Sequence, residues 1–222
     1  MSRSTSLLSA LCFAGLLAGT AKAQILVYGF TSSSAGPTSS NPSITGGSVT
    51  TGGGVTATSN TSPVSSGYTG ASGSYFISDN GWTGTLPGTN YFQFTITPIN
   101  ASVAITSISF GYRESGTSTG PTAFSIRSSA DSYSSGLASG ALTNSDTNWH
   151  SIGTTSVTLT FTSATTLRIY ANGAINNTPT LRIDDITING TVSAIPEPET
   201  AAVSLGAFAL GATVIVRGRR KR

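Results

Sequence analysis

The chain is poor in the residues that most thiol enzymes and metalloproteins use. Of its 222 residues, one is cysteine (Cys12) and one is histidine (His150). Because Cys12 lies in the N-terminal apolar run, the rest of the chain has no thiol for catalysis, for a disulfide or for a zinc ion. A lone histidine also excludes sites built from several histidines. Thiol catalysis and multi-histidine metal sites are therefore excluded. From the sequence as a whole we predict no catalytic residue and no cofactor, with structural calcium the one alternative considered below.

Charge is scarce and unevenly placed. Charged residues make up 9% of the chain, and the formal net charge is +3. Two basic residues lie in the first 23 positions and five lie in the last six. Between Gln24 and Ile195 there are four arginines and six acidic residues, which gives this body a net charge of −2. Four scattered arginines do not form a stripe that follows a phosphate backbone, so we expect no nucleic-acid partner.

Small hydroxylated residues are abundant, and they alternate with apolar ones. Serine and threonine account for 71 residues and glycine for 26. In the segment 91–97, three apolar residues alternate with glutamine and threonine, and the same period of two recurs at 108–112, 124–127, 157–162, 167–169 and 181–183. This period is typical of strands with one buried face. We predict an all-β fold, a two-sheet antiparallel sandwich that is jelly-roll-like, because one apolar face per strand requires a second sheet to cover it.

The predicted sandwich spans residues 24–192. Its first strand is expected at Ile25–Phe30 and its last at Leu181–Ile188. Residues 31–73 hold little that fills a core, so we expect long loops there with one or two short strands, the best candidate being Val55–Ser59.

The N-terminus has the pattern of a secretory signal peptide over residues 1–23. Arg3 provides the positive start, and an apolar run too short to span a bilayer follows it. Ala21 and Ala23 place small residues at the −3 and −1 positions of a cleavage before Gln24. This predicts export of the chain.

The C-terminus, residues 193–222, has three consecutive parts. Pro196, Glu197, Pro198 and Glu199 form a stiff linker. The uncharged segment 200–216 is long enough to cross a thin bilayer as a helix. A basic tail then holds the end of the chain in the cytoplasm. The residues of this tail are Arg217, Arg219, Arg220, Lys221 and Arg222.

This order of parts resembles the PEP-CTERM sorting signal of Gram-negative bacteria. The resemblance implies recognition of Pro196, Glu197 and Pro198 by the membrane enzyme exosortase while the chain is held in the inner membrane. It further implies removal of the anchor and release to the cell surface or the extracellular polysaccharide matrix. Residues 181–190 also resemble the closing strand of secreted jelly-roll modules, some of which bind carbohydrate.

Adjacent acids near the end of the body form one candidate site. Leu181 and Ile183 share one strand face and Ile186 and Ile188 the other, which predicts a β-bulge near Asp184 and Asp185. On a regular strand the two carboxyl groups point to opposite faces and cannot flank one glycosidic bond. With the bulge they are weak candidates for a structural Ca²⁺ ion, against capping or turn roles.

Two catalytic patterns are present in outline only. Residues 116–120 match G-x-S-x-G, but a proline and a predicted strand follow where a hydrolase has a helix, so we interpret the segment as a hairpin loop. His150 has Asp146 nearby as an orienting acid, but nothing in the sequence places a nucleophile beside it.

Aromatic residues provide the remaining candidates. Trp82, Tyr91, Trp149 and Tyr170 would stack on sugar rings if they were exposed on one sheet face, and otherwise they belong to the core. Our main interpretation is a non-enzymatic exported protein of the cell surface or matrix. A glycan-binding module, with Trp82 and Trp149 as stacking residues and extracellular polysaccharide as partner, is the first alternative. A polysaccharide-active enzyme is the second.

Overall fold

The computed structural model describes residues 23–52, 58–60, 65–72 and 75–195. These residues form two antiparallel sheets and one 3₁₀ turn at Ser129–Asp131. The strands of the eight-stranded sheet are β1 (Ala23–Tyr28), β2 (Ser39–Ser40), β5 (Thr58–Asn60), β6 (Phe76–Asp79), β8 (Ala101–Glu114), β11 (His150–Ser151), β12 (Thr155–Phe161) and β14 (Leu181–Ala194). The strands of the six-stranded sheet are β3 (Ile44–Gly46), β4 (Thr50–Gly52), β7 (Tyr91–Pro98), β9 (Ala123–Ser128), β10 (Ala138–Ala141) and β13 (Thr165–Asn172).

Two strands of 14 residues, β8 and β14, form the centre of the eight-stranded sheet. They pair from Leu181 opposite Glu114 to Ala194 opposite Ala101. On its other side β14 pairs first with β6 and then with β1. Likewise, β8 pairs with β12 along its first half and with β11 near its end. The central pair thus connects the short strands on both sides.

The six-stranded sheet has the order β10-β9-β13-β7-β3, and β4 also pairs with β7. Arg168 of β13 lies between Arg127 of β9 and Gln93 of β7. Tyr170 lies between Ser125 and Tyr91 in the same way. These cross-strand neighbours share the outer face of the sheet.

The alternation of residue types accounts for the core. In β7 the apolar residues Phe92, Phe94 and Ile96 are buried, while the polar residues between them are partly exposed. The inward residues of both sheets form one continuous cluster that also contains Trp82. The predicted two-sheet antiparallel sandwich is therefore confirmed. Threonine suits the outer faces because it is both β-branched and polar.

The strand limits differ from the prediction at both ends. The first strand runs from Ala23 to Tyr28, where we expected it to begin at Ile25 and to reach Phe30. The last strand continues to Ala194, beyond the expected Ile188, because the pairing with β8 extends it. Of the candidate strand at Val55–Ser59, the structure describes only residues 58 and 59, which fall in β5.

Both predicted targeting segments lie outside the described residues, apart from Ala23 and residues 193–195. Within the described ranges, the structure contains no helix long and apolar enough to cross a membrane. The signal peptide and the span at 200–216 therefore stay predictions.

Candidate functional site

The two adjacent acids of β14 lie in a β-bulge. Asp184 is opposite Gly111 and Thr187 is opposite Ser109, so two residues of β14 face one residue of β8. Asp185 has a φ of +50°, a left-handed conformation that aspartate tolerates better than most residues. The bulge predicted from the phase change is confirmed. It lies where β14 changes its neighbour from β6 to β1.

The carboxylate of Asp185 holds the loop at 65–72, which precedes β6, against the sheet. Its Oδ2 accepts hydrogen bonds from Tyr68 Oη (2.5 Å), Ser65 Oγ (3.1 Å) and the Ser72 amide (3.1 Å). Its Oδ1 accepts a further bond from Ser72 Oγ (2.7 Å). Burial and the Asp185 hydrogen bond raise the pKa of Tyr68 well above its usual range, so its hydroxyl donates. These contacts give Asp185 a structural role.

Asp184 has the opposite environment. It is fully buried, and its Oδ1 accepts a hydrogen bond from the Asp185 amide (2.7 Å). Its Oδ2 has no hydrogen-bond partner among the described residues. Burial, with the nearby charge of Asp185, raises the pKa of Asp184 to about 8. Among the described residues, no group of three or more histidine, cysteine or acidic side chains is placed to hold a metal ion.

Two further carboxyl groups are buried beside the first residue of β14. Asp79 and Glu114 lie on either side of Leu181 in the sheet, and they are 2% and 1% exposed. Desolvation raises the pKa of Asp79 to about 6 and that of Glu114 to about 8. Neither oxygen of Glu114 has a partner within the described ranges. Burial therefore makes both carboxyl groups easier to protonate than in water, and it shields them from solvent.

The two catalytic patterns, the G-x-S-x-G match at 116–120 and the pair of His150 with Asp146, do not form a complete catalytic site among the described residues. The segment 116–120 connects β8 of one sheet to β9 of the other, so it is an arch between sheets where we expected a hairpin loop. His150 Nε2 lies 2.8 Å from Asp146 Oδ1, and the imidazole packs on Tyr112 at 5.5 Å between centroids. Among the described residues, the hydrogen-bond partner of the His150 ring is Asp146, and no hydroxyl is bonded to it.

Neither tryptophan presents its ring to solvent. Trp82 is 1% exposed, packs on Phe92 in the core and donates its indole N–H to the Asp79 carbonyl (2.8 Å). Trp149 is 7% exposed and packs edge-on against Phe76. Stacking of sugar rings therefore requires other residues.

The strongest candidate site lies on the outer face of the six-stranded sheet. The guanidinium carbon of Arg168 lies 3.9 Å from the ring centroid of Tyr91 and 3.8 Å from that of Tyr133. Arg168 Nε donates to Gln93 Oε1 (3.1 Å), and Nη1 donates to Tyr170 Oη (3.3 Å). A cation stacked between two rings and hydrogen-bonded at its edges is fixed in orientation.

Arg127 holds the loop that carries Tyr133. Its Nη1 donates to the carbonyls of Tyr133 (2.9 Å) and Ser134 (2.7 Å). Ser132 and Tyr133 both have positive φ, which turns the loop back over the sheet. The hydroxyls of Thr95 and Thr166 lie 2.7 Å apart on the same outer face. We call the partly exposed side chains of this region the tyrosine–arginine face; they are Tyr91, Gln93, Thr95, Arg127, Tyr133, Thr166 and Arg168.

Sequence reasoning identified part of this face. It singled out Tyr91 and Tyr170, which lie together with ring centroids 5.4 Å apart, although Tyr170 is buried. It missed Arg168 and Tyr133. The alternation in β13 was the available signal for Arg168, because it places this arginine outward. No local pattern brings Tyr133 to β13, since its loop is 37 residues from Tyr170 along the chain.

The chain is similar in outline to several solved β-sandwich structures. No protein-family model and no curated protein matches it. The K3 cleaved adhesin domain of Lys-gingipain from Porphyromonas gingivalis W83 is 14% identical, with a TM-score of 0.42, over 76% of this chain and 99% of that domain. A CBM4 structure is 17% identical, with a TM-score of 0.34, over 53% of this chain and 70% of that one. A carbohydrate-binding module of the β-sandwich superfamily is 13% identical, with a TM-score of 0.26, over 65% of this chain and 55% of that one. Because all three TM-scores are below 0.5, the fold assignment depends on the strand pairing described above.

Proposed function

We propose that the body is a non-enzymatic glycan-binding module and that its ligand lies on the tyrosine–arginine face. The observation that supports this is the guanidinium of Arg168, held between two tyrosine rings on a partly exposed sheet face. Gln93, Thr95 and Thr166 add an amide and two hydroxyls, groups that pair with sugar hydroxyls. Fixed polar groups on a rigid sheet bind at a lower entropic cost than groups on mobile loops.

The environment of the acids supports a binding role over a catalytic one. Hydrolysis of a glycosidic bond uses two carboxyl groups that flank the bond in a cleft. Asp79, Glu114 and Asp184 are buried, and the oxygens of Asp185 accept hydrogen bonds from the loop at 65–72. None of these four lies on the tyrosine–arginine face. A polysaccharide-active enzyme is therefore the weaker alternative.

Export and sorting belong to the same proposal. The signal peptide at 1–23 and the PEP-CTERM-like signal at 193–222 would deliver the sandwich to the cell surface or the polysaccharide matrix, with exosortase and the inner membrane as transient partners. The last strand ends at Ala194, two residues before Pro196, so the proposed sorting element begins just outside the sandwich.

Successive strands from β7 to β9 alternate between sheets, which supports the jelly-roll-like topology.

Blocking the face with a bulky side chain tests the binding site without changing charge. Thr166→Trp fills the outer face beside Arg168, and we expect it to weaken polysaccharide binding at least about tenfold, since the indole occupies the ligand's position. The matched control is Thr160→Trp, which puts the same bulk on an exposed position of β12 in the other sheet. Affinity gel electrophoresis with neutral and acidic polysaccharides gives the readout. Equal retardation of both variants, or no retardation of the wild-type protein by any polysaccharide, would contradict the proposal.

A further inference from the structure

Two arginines lie side by side on the tyrosine–arginine face. Arg127 of β9 and Arg168 of β13 are direct cross-strand partners on the outer side of the sheet. Like charges directly opposite each other destabilise a sheet. Neither arginine forms a salt bridge with an acid of the described residues, where the one ion pair is His150 with Asp146. The two guanidinium groups therefore form a local excess of positive charge. No acidic side chain of the described residues forms an ion pair with either of them.

The acids of the body are concentrated on the other sheet. Asp79, Glu114, Asp184 and Asp185 belong to strands of the eight-stranded sheet, and Asp146 pairs with His150 of that sheet. Of the six acids between Gln24 and Ile195, only Asp131 lies beside the six-stranded sheet, where it accepts hydrogen bonds from Ser134 and Ser135. A body with a net charge of −2 thus carries a positive outer face.

The tyrosine rings of this face are already in use. One side of the Tyr91 ring faces Arg168, and the ring also contacts Tyr170 in a T-shaped arrangement. A Cβ built on Gly52 would lie 2.0 Å from Cζ of Tyr91, so this ring also lies directly on the β4 backbone. Tyr133 turns one side toward Arg168. The sides of both rings that hold the guanidinium are therefore not available to stack on a sugar, and the Tyr91 ring is further covered by Tyr170 and β4.

On the tyrosine–arginine face, the polar groups of Arg168 and Gln93 without a hydrogen bond among the described residues are donors. Arg168 uses Nε and Nη1, and its Nη2 has no hydrogen bond within the described ranges. Gln93 accepts through Oε1, which leaves its amide N–H₂ available. A guanidinium fork matches the two oxygens of a carboxylate, and charge-assisted hydrogen bonds of this kind are the strong ones.

From this arrangement we propose that the ligand is an acidic glycan, recognised through the carboxylate groups of uronic-acid units by Arg168 with Arg127 beside it. The inference rests on the proposed glycan-binding function and names its substrate class. The stacked tyrosines keep the guanidinium in place before the ligand arrives, which lowers the entropic cost of binding. The threonine hydroxyls of the face are suited to the neutral hydroxyls of the same sugar units.

Polymers that separate the effect of carboxylate charge from that of the sugar test this assignment. The wild-type protein is titrated by isothermal calorimetry with polygalacturonate and with alginate, each compared with its esterified, uncharged form. Poly-glutamate serves as a carboxylate polymer without sugar. We expect one or both uronate polymers to bind, the matching ester to bind at least about tenfold more weakly, and affinity to fall as NaCl is raised.

Two arginine variants test whether the binding of acidic polymers depends on the tyrosine–arginine face. Arg168→Gln is expected to lose at least about tenfold in affinity for the uronate polymer, while Arg182→Gln, which removes an arginine from the other sheet, keeps wild-type affinity. Thermal melting of both variants verifies that they fold. Affinity for an ester equal to that for its acid, binding of neutral glycans alone, or an equal loss in both variants would overturn the acidic-glycan inference but leave the glycan-binding proposal in place. Equal binding of poly-glutamate, or no binding by any polymer, would overturn both.

Discussion

At the scale of single residues, two adjacent aspartates of the sandwich, Asp184 and Asp185, have opposite environments. Asp185 accepts four hydrogen bonds from a loop more than 100 residues away in sequence, while Asp184, next to it, accepts one from a backbone amide. The difference arises from the bulge, which directs one carboxyl group to the loop and the other into the protein. Chemical identity alone therefore does not set the role of an acid here.

Removing the Asp185 carboxylate should release the loop at 65–72. Asp185→Ala leaves the hydroxyls of Tyr68 and Ser72 and the Ser72 amide without their acceptor, while the Ser65 hydroxyl keeps the Ser72 carbonyl at 2.8 Å. We expect a loss of about 2–3 kcal/mol in the free energy of unfolding. Urea denaturation measures this loss, and hydrogen exchange should become faster in the loop. Asp131→Ala, which removes an exposed acid bonded to two serines, is the control and should have a much smaller effect. An unchanged exchange rate at 65–72 would contradict the assigned role.

At the scale of elements, the close contact of β8 and β14 depends on a glycine. A second irregularity in this pair falls between Asn189 and Gly190, where the two backbones approach closely. A Cβ built on Gly190 would lie 2.2 Å from the carbonyl oxygen of Ala104. Because this contact is with backbone atoms, a rotamer change cannot relieve it.

Gly190→Ala is therefore expected to destabilise the sandwich by about 1–3 kcal/mol, through displacement of the central strands. Gly88→Ala is the matched control, since its added Cβ would meet nothing nearer than 3.9 Å. Denaturant midpoints of the two variants make the comparison. If Gly190→Ala unfolds at the wild-type midpoint, the close approach of the strands is not a constraint on stability.

The elements also show how far a sequence alone predicts this fold. Alternation predicted β7, β13 and the beginning of β14, because burial of one face leaves a period of two in the residue types. It did not predict β2 or β4, whose two or three residues become strands only by pairing with β1 and β7. Nor did it predict that Tyr133 belongs to the tyrosine–arginine face, since Tyr133 reaches Arg168 through a turn with two positive φ angles in a serine-rich loop.

At the scale of the whole molecule, the eight-stranded sheet carries three buried acids whose pKa values are raised: Asp79, Glu114 and Asp184. Each is more easily protonated in the folded state than in the unfolded one. The stability contributed by the neutral groups is complete below their ordinary pKa values of about 4. It is lost as the pH rises through about 6 for Asp79 and about 8 for the other two.

The thermal midpoint should accordingly fall as the pH is raised from about 5 to about 9. Glu114→Gln removes one of the three titrations, so its midpoint should depend less on pH and exceed that of the wild type at the alkaline end. Differential scanning calorimetry at several pH values makes the measurement. Asp131→Asn, at an exposed acid, should keep the wild-type slope. A wild-type midpoint that stays constant or increases over this range would refute the buried neutral state of these acids.

The central position of β14 has a mechanical consequence. Tension applied to the chain beyond Ile195 acts along the axis of a strand that is bordered by β8 on one side and by β1 and β6 on the other. The ladder hydrogen bonds of antiparallel strands lie across that axis, so the load is shared among many of them at once and they do not open one after another. If the chain is held through this end, as the proposed sorting signal implies, the sheet would resist pulling by shear.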